Sequence, residues 1–218
     1  MEVEQGVKHV IEVRDFTKKF GNNIILEKVN LKFESGNIYG FMGRNGSGKT
    51  VFLKSVCGFM EATEGTILLD GKVLKKDIEY LENMGFLIER PGFLGQWTAY
   101  ENLRYIASIR RVVGKKEIEE SLKIVNLDPN DKKKVSKYSL GMKQRLGVAQ
   151  AIMENPDILI LDEPMNGLDE TGVELMRKIL LELKQQGKLL LIASHYKEDI
   201  ELLCDKVYIC MEKQIFEI

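Results

Sequence analysis

A glycine-rich stretch between a predicted strand and a predicted helix restricts the fold of this 218-residue chain more than any other feature. Residues 37–42 (NIYGFM) predict the strand, and residues 50–56 (TVFLKSV) predict the helix. Glycines let backbone amides approach an anion closely, and the amides at a helix N-terminus point toward it. The stretch fits the pattern G-x-x-x-x-G-K-[ST] without a gap and therefore predicts a phosphate-binding loop, made of Gly43, Arg44, Asn45, Gly46, Ser47, Gly48, Lys49 and Thr50.

The last two residues of this loop have separate predicted roles. Lys49 supplies a mobile positive charge for the β- and γ-phosphates, and the Thr50 hydroxyl can bind Mg²⁺.

Buried strands and helices alternate in the C-terminal part of the chain. Residues 157–161 and 188–193 are short apolar runs, which are typical of strands in a parallel sheet. Residues 173–185 between them predict an amphipathic helix that ends before Gly187. Such alternation indicates a parallel sheet covered by helices on both faces. The phosphate loop would then lie at the carboxyl end of a strand, where open α/β sheets bind ligands.

Composition excludes several classes of function. Lys plus Arg (32) almost balances Asp plus Glu (33), so the net charge of −1 gives no general attraction to nucleic acid. The three cysteines have no metal-type spacing, which favours reduced thiols in a cytosolic protein. Residues 1–5 (MEVEQ) have no apolar signal core, and the longest apolar runs have the length of a strand. We therefore expect no direct membrane span.

Two carboxylates follow the buried run at residues 158–161. Asp162 would hold Mg²⁺ directly or through water, as the second acidic element of a P-loop NTPase does, and Glu163 would polarise an attacking water. An acidic turn after a strand is the alternative interpretation, but the upstream phosphate loop favours the catalytic one.

Three further segments carry a resemblance to a known family. Residues 138–145 (YSLGMKQR) look like a variant of the signature motif of ATP-binding cassette ATPases, with a helix predicted to begin near Gly141. Residues 166–169 (NGLD) resemble the D-loop of that family, and residues 193–195 (ASH) resemble its switch-histidine segment. The ordered set of motifs covers essentially the whole chain and is specific, although each motif alone is weak.

The resemblance implies roles for five residues. Phe20 would stack on adenine, with ordinary strand packing as the alternative. Ser139 and Gly141 would contact the γ-phosphate held by the phosphate loop of a second cassette, and Asp169 would lie at the same interface. His195 would contact the γ-phosphate and orient the attacking water. A head-to-tail homodimer, or a pair with another cassette, would enclose two ATP molecules.

The chain departs from the family pattern in the loop at residues 85–91 (GFLIERP). Glu89 stands where family members usually have Gln. A carboxylate is still an oxygen ligand for Mg²⁺, so the predicted metal ligands are Thr50, Glu89 and Asp162, but it adds a negative charge and cannot donate as an amide does. A tolerated exchange is the alternative. With the Tyr-Ser-Leu-Gly-Met signature, Glu89 resembles the cassettes of bacitracin- and lantibiotic-resistance exporters.

Residues near this loop bear on the partner subunit. Phe93, Trp97 and Tyr100 are aromatic residues of the kind favoured at interfaces, although local core packing is an equal alternative. Exporters of this group often carry a further C-terminal segment. Because the sequence stops at Ile218, the resemblance suggests a short natural form or a shortened chain.

The resemblance implies an α/β fold with a P-loop NTPase core and a mostly parallel sheet. An N-terminal antiparallel β subdomain and a helical insert subdomain at about residues 96–153 would complete a single nucleotide-binding domain, residues 1–218. The expected enzyme is an ATPase that uses Mg²⁺, with Glu163, His195 and Lys49 as its catalytic residues.

The function implied is the ATP-hydrolysing subunit of a membrane transporter, and an exporter of peptide antibiotics within that class. It would bind an integral membrane permease at the cytoplasmic face of the membrane, without nucleic acid. Two alternatives are an ATP-gated clamp on a ribosome, DNA or division complex, and a catalytically silent regulatory cassette. The single cassette argues against the clamp, and the complete set of Lys49, Asp162, Glu163 and His195 argues against the silent form.

Overall fold

The computed structural model describes residues 8–81, 83–89 and 91–218. The acidic segment at residues 1–5 and Arg90 of the loop at 85–91 lie outside the described residues. The strands, in chain order, are β1 (Val10–Phe20), β2 (Asn23–Glu34), β3 (Ile38–Met42), β4 (Glu64–Leu69), β5 (Lys72–Val73), β6 (Met84–Leu87), β7 (Ile158–Asp162), β8 (Leu189–Ala193), β9 (Lys206–Met211) and β10 (Gln214–Glu217).

Six α-helices are found in the described part of the chain. They are α1 (Lys49–Val56), α2 (Ala99–Arg110), α3 (Lys115–Ile124), α4 (Leu140–Ile152), α5 (Glu170–Gln185) and α6 (Lys197–Leu203). A short 3₁₀ turn covers Val135–Lys137 before α4.

The N-terminal sheet is antiparallel and has the strand order β2-β1-β4-β5. Its β4–β5 hairpin turns at Asp70 and Gly71, which have φ angles of 51° and 80°. Two consecutive residues with positive φ are what a type I′ hairpin requires, and Asp-Gly is a preferred pair there. The predicted antiparallel β layer is confirmed.

The central sheet has the order β10-β9-β3-β8-β7-β6 and is parallel except for β10, which pairs antiparallel with β9. Every residue of β7 and β8 is buried. Continuous burial explains why these strands are apolar throughout instead of alternating. The mostly parallel sheet predicted from the sequence is confirmed.

Two hydrophobic cores lie on opposite faces of the central sheet. Ile158 and Ile160 of β7 belong to the core shared with the N-terminal sheet and α1, which also contains a cluster of aromatic rings built around Phe33. Leu159 and Leu161 belong to the core formed with helices α2 to α6. Successive side chains of a strand point to opposite faces, so one strand contributes to both cores.

Helices α2, α3 and α4 lie within the range predicted as a helical insert, and the division into subdomains stays a prediction. A capping box fixes the start of α2: the Glu101 amide donates to Thr98 Oγ1 at 3.2 Å, and the Thr98 amide donates to Glu101 Oε2 at 2.7 Å.

Phe93 and Tyr100 pack against the helical core, which favours local packing for these two aromatics.

Helix α4 begins next to the predicted residue Gly141, whereas α5 begins three residues earlier than the sequence predicts. α4 begins at Leu140 with Ser139 as its N-cap, and α5 begins at Glu170 with Asp169 as its N-cap. In each case a short polar side chain accepts a hydrogen bond from an amide in the first turn and so fixes the start of the helix.

Candidate functional site

The glycine-rich loop turns sharply between the end of β3 and the start of α1. Gly43 has φ 154° and Gly48, the N-cap of α1, has φ 103°. A Cβ on Gly43 would lie 2.6 Å from the Cys210 carbonyl oxygen and 2.6 Å from Ser47 Oγ. Only glycine can therefore take this path, in which the loop wraps the N-terminus of α1.

The loop has groups that fit a bound anion. Lys49 is 6% exposed, and its ammonium donates to the Gly43 carbonyl at 2.6 Å and to the Arg44 carbonyl at 3.4 Å. Ser47 Oγ is buried and has no hydrogen-bond partner among the described residues. A buried hydroxyl without a partner is costly unless a ligand or water satisfies it. Together with the helix N-terminus, these groups fit a phosphate chain.

Thr50 and Asp162 meet beside the loop although they are far apart in the sequence. The Thr50 hydroxyl donates to Asp162 Oδ2 at 2.5 Å. Burial raises the pKa of Asp162, while the bond from Thr50 and the charge of Lys49 act in the opposite direction. A hydroxyl and a carboxylate are hard oxygen ligands of the kind Mg²⁺ prefers. No three His, Cys, Asp or Glu side chains in the described ranges form a metal cluster, so such a cation would also need phosphate oxygens or water.

Glu163 and His195 form a second contact at the carboxyl end of the sheet. Glu163 Oε2 lies 2.8 Å from His195 Nδ1, and the His195 amide donates to the same oxygen at 3.3 Å. Glu163 has φ 54°, a left-handed conformation that is uncommon for a residue other than glycine. Strained conformations of this kind cluster at functional sites, where the surrounding structure holds them.

Two neighbouring cavities follow the loop. One, of about 370 Å³, is lined by Ile25, residues 45–51, Asp162 and Glu163. The other, of about 780 Å³, is lined by residues 42–47, His195 and residues 209–212. The predicted loop, metal and catalytic residues apart from Glu89 thus border two adjoining cavities, where a bound phosphate chain would meet both carboxylates.

A different surface carries the remaining predicted residues. Ser139 and Asp169 are exposed, and Gly141 packs so closely that a Cβ there would lie 2.8 Å from the Gly167 carbonyl oxygen. The segment at residues 139–141 therefore packs directly on the turn at residues 166–169. In the described part of the chain, neither cavity at the glycine-rich loop is lined by Ser139, Gly141 or Asp169.

Comparison with known sequences identifies the family. The model of the family described as ABC transporter matches residues 26–166. This chain belongs to the ABC transporter family. The cassette is 45% identical over 196 residues to the uncharacterized ABC transporter ATP-binding protein YybJ of Bacillus subtilis, with 90% of each chain covered. It is 41% identical over 213 residues to the bacitracin transport ATP-binding protein BcrA of Enterococcus faecalis, and the alignment covers 97% of the cassette and 69% of BcrA.

The fold is also that of solved ABC cassettes. The dimeric structure of MJ0796, a bacterial ABC transporter cassette, superposes with a TM-score of 0.82 at 26% identity, covering 94% of this cassette and 96% of that chain. The family, the fold class and the ATPase predicted from the motifs are confirmed. The cassette is the ATP-binding and ATP-hydrolysing subunit of an ABC transporter, which the relatives favour over a clamp or a silent cassette.

Phe20 lies at the end of β1 of the cassette and is 48% exposed. The Lys18 ammonium stands 5.1 Å from the centre of its ring. The ring belongs to neither hydrophobic core, and its stacking on adenine stays a prediction.

Glu89 is paired with a residue other than its predicted metal partners. Its carboxylate accepts a hydrogen bond from Lys54 of α1 at 2.6 Å, and the side chain is 64% exposed. Its backbone has φ 61°. The structure thus brings Thr50 and Asp162 together but pairs the third predicted metal ligand with a lysine.

Sequence reasoning missed two residues of this site in the cassette. Lys54 is one, and Gln144 is the other: its buried side chain donates from Nε2 to the Glu163 carbonyl at 2.8 Å. No local signal marks Gln144 in the sequence, because it stands between two other polar residues of α4, Lys143 and Arg145. Buried amides are retained where they have a specific partner.

Proposed function

We propose that this cassette hydrolyses ATP between two paired cassettes and thereby drives the export of a peptide antibiotic through a membrane permease. The observation that carries the proposal is the meeting of Lys49, the Thr50–Asp162 pair and the Glu163–His195 pair around adjoining cavities. Each group matches one requirement of phosphoryl transfer to water.

ATP would lie with its phosphates on the loop at residues 43–50 and its base on Phe20. Lys49 and the amides at the start of α1 would bind the phosphate oxygens, on which negative charge spreads during transfer. Thr50, Asp162 and Glu89 would hold Mg²⁺, which neutralises phosphate charge when bound. For Glu89 this requires the carboxylate to leave Lys54.

Glu163 would accept a proton from, or orient, the water that attacks the terminal phosphorus. Its carboxylate is already fixed by His195, and its backbone is fixed by Gln144, so little reorganisation is needed when ATP arrives. General-base assistance of this kind contributes about 10²–10⁴ in rate.

A second cassette would complete each site. Ser139, Gly141 and Asp169 lie away from the cavities at the chain's own phosphate loop, which supports a role toward the ATP of the partner. A solved relative of the same fold is described as dimeric, which supports the same arrangement. The partner is a second copy of this chain or a different cassette.

The bacitracin transport protein BcrA motivates the cargo class, since it shares 41% of its aligned residues with this cassette. None of the helices in the described residues is both long and apolar enough for a membrane span. A permease would therefore carry the peptide, with the cassette bound at its cytoplasmic side. Phe59 and Phe86, exposed aromatics packed edge to face at 4.8 Å near the Glu89 loop, are suitable for that contact.

Replacing Glu163 by Gln tests the chemistry. The neutral amide keeps the shape but accepts no proton, so we expect turnover to fall by about 10²–10⁴ while ATP binding persists. Size-exclusion chromatography with light scattering should show an ATP-dependent dimer of the variant. The matched control is Lys49→Ala, which should lose ATP binding itself. Near-normal hydrolysis by Glu163→Gln would rule out the assigned role.

The transport claim needs a separate test. Expression of the cassette with its native permease should raise the bacitracin concentration that a sensitive host tolerates, and the Glu163→Gln form should not. An unchanged tolerance with an active ATPase would remove bacitracin as cargo and leave the ATPase assignment intact.

A further inference from the structure

An ion pair joins helix α1 to the loop position at which this cassette has Glu in place of the usual Gln. Lys54 Nζ lies 2.6 Å from Glu89 Oε1. The lysine side chain is 22% exposed and the carboxylate is 64% exposed. Because Lys54 is in the last turn of α1 and Glu89 follows β6, the pair fixes the loop to the helix that carries the phosphate-binding residues.

Lys54 occupies a defined place relative to the predicted metal ligands. Thr50 and Lys54 are four residues apart on α1 and therefore lie on the same face, about 6 Å apart along the helix axis. Thr50 is the residue bonded to Asp162. The Glu89 carboxylate is thus bound by a lysine one helical turn along α1 from the threonine that would bind a divalent cation.

The charges of the pair act on the same site. Burial is the main reason that the pKa of Asp162 is raised, Thr50 and Lys49 oppose it, and the smaller effects of Glu89 and Lys54 have opposite signs. A glutamine at position 89 would add no charge. The extra carboxylate is therefore balanced by Lys54 for as long as the two side chains stay paired.

We propose that Lys54 is a positioning residue that holds the Glu89 carboxylate away from the metal site and is displaced from it when a divalent cation binds with ATP. The proposal rests on the proposed role of Glu89 as a metal ligand. Lys54 and the cation compete for one carboxylate, so Lys54 sets how readily the cation binds and keeps the loop on α1 in the nucleotide-free cassette.

The expected size of the effect is modest because the carboxylate is largely exposed. Exposed ion pairs contribute little, so removal of the competitor should tighten cation binding by about twofold to fivefold. The effect should require the carboxylate: in a Glu89→Gln background, where Lys54 has no carboxylate to hold, it should largely disappear.

A double-mutant cycle with Mn²⁺ as the probe tests this. The full cassette, saturated with a non-hydrolysable ATP analogue, is titrated with Mn²⁺ and the free ion is followed by electron paramagnetic resonance. We expect Lys54→Met to raise the Mn²⁺ affinity about twofold to fivefold, and the same change in Glu89→Gln to have almost no effect. Lys54→Arg, which keeps the charge, is the matched control and should behave like the wild type.

Hydrogen exchange supplies a second readout that needs no metal. In the nucleotide-free cassette, Lys54→Met should speed amide exchange at Ile88 and Glu89, whereas Lys54→Arg should not. If Lys54→Met changed the Mn²⁺ affinity equally with Glu or Gln at position 89, the proposal would be overturned. The lysine would then act on the cation only through long-range charge repulsion. Equilibrium dialysis with the ATP analogue separates the two ideas: loss of nucleotide binding contradicts the proposed function, whereas nucleotide binding without coupling contradicts this inference alone.

Discussion

A buried ion pair between α5 and α6 gives a stability prediction that also bears on the catalytic segments. Arg177 Nε lies 3.0 Å and Nη2 lies 2.5 Å from Asp199 Oδ1. The Asp199 side chain is only 6% exposed, whereas that of Arg177 is 24% exposed. α5 starts directly after Asp169, and α6 starts two residues after His195, so the pair joins the two segments that carry these predicted residues.

Replacing Arg177 by Met should leave a buried carboxylate without a partner. Breaking one half of a buried pair costs about 3–5 kcal/mol, and we expect the lower end because water reaches the arginine side. For a chain of this size, a loss of about 3 kcal/mol lowers the melting temperature by about 6–12 °C. Urea unfolding followed by circular dichroism gives the free energy, and thermal unfolding gives the shift.

Two further variants make this test specific. The double replacement Arg177→Met with Asp199→Leu should recover most of the loss, because apolar residues of similar volume replace buried ion pairs at little cost. Lys178→Met, the next residue of α5, breaks an exposed 3.8 Å pair with Glu182 and should cost less than about 1 kcal/mol. A single Arg177→Met variant as stable as the Lys178→Met control would refute the reasoning, since it would mean that water solvates Asp199.

Two other predictions concern close packing and the thiols. Gly85→Ala should lower the free energy of unfolding in urea by about 1–3 kcal/mol, because its Cβ would lie 1.9 Å from the Ala151 carbonyl oxygen. The control Gly92→Ala has open space around it and should be near neutral. Equal stability of the two variants would contradict the close contact of β6 with α4. Burial raises the pKa of Cys204 and Cys210 to about 12 and raises that of Cys57 as well. At pH 8 roughly one thiol in 10⁴ with such a pKa is a thiolate, so Ellman's reagent should label the native cassette far more slowly than the urea-unfolded chain, and rapid native labelling would disprove the burial.

The parts of the site that could be predicted are those with local signals. The loop at residues 43–50 has a fixed spacing, and Asp162 and Glu163 directly follow an apolar strand, so neither needs a three-dimensional contact to be recognised. Parallel strands end at one edge of a sheet, which is why these separate segments could be expected to meet. The alternation of strands and helices is also visible in the local sequence, and it predicted a parallel sheet covered by helices.

The parts that could not be predicted depend on distances across the fold. Nothing near Lys54 in the sequence indicates that Glu89 will reach it, because the contact joins α1 to the segment after β6, 35 residues further along the chain. Gln144 reaches the Glu163 carbonyl only because α4 packs against β6, the strand that pairs with β7. The start of α5 was also missed by three residues. The spacing of apolar residues does not reveal that the Asp169 side chain accepts a hydrogen bond from the first turn and so begins the helix at Glu170.

The capping bond at the start of α4 is compatible with a role of the same residue toward a partner's ATP. Ser139 Oγ accepts a hydrogen bond from the Met142 amide at 3.2 Å. A hydroxyl has one donor besides its acceptor lone pairs, so this bond uses an acceptor and leaves the O–H free to donate to a phosphate oxygen. The same bond restricts the rotation of an exposed side chain, which reduces the entropy lost when a ligand binds. The hydrogen bond that starts the helix therefore also holds the hydroxyl beside the unpaired amides of the first turn, where an anion from a second cassette would be bound.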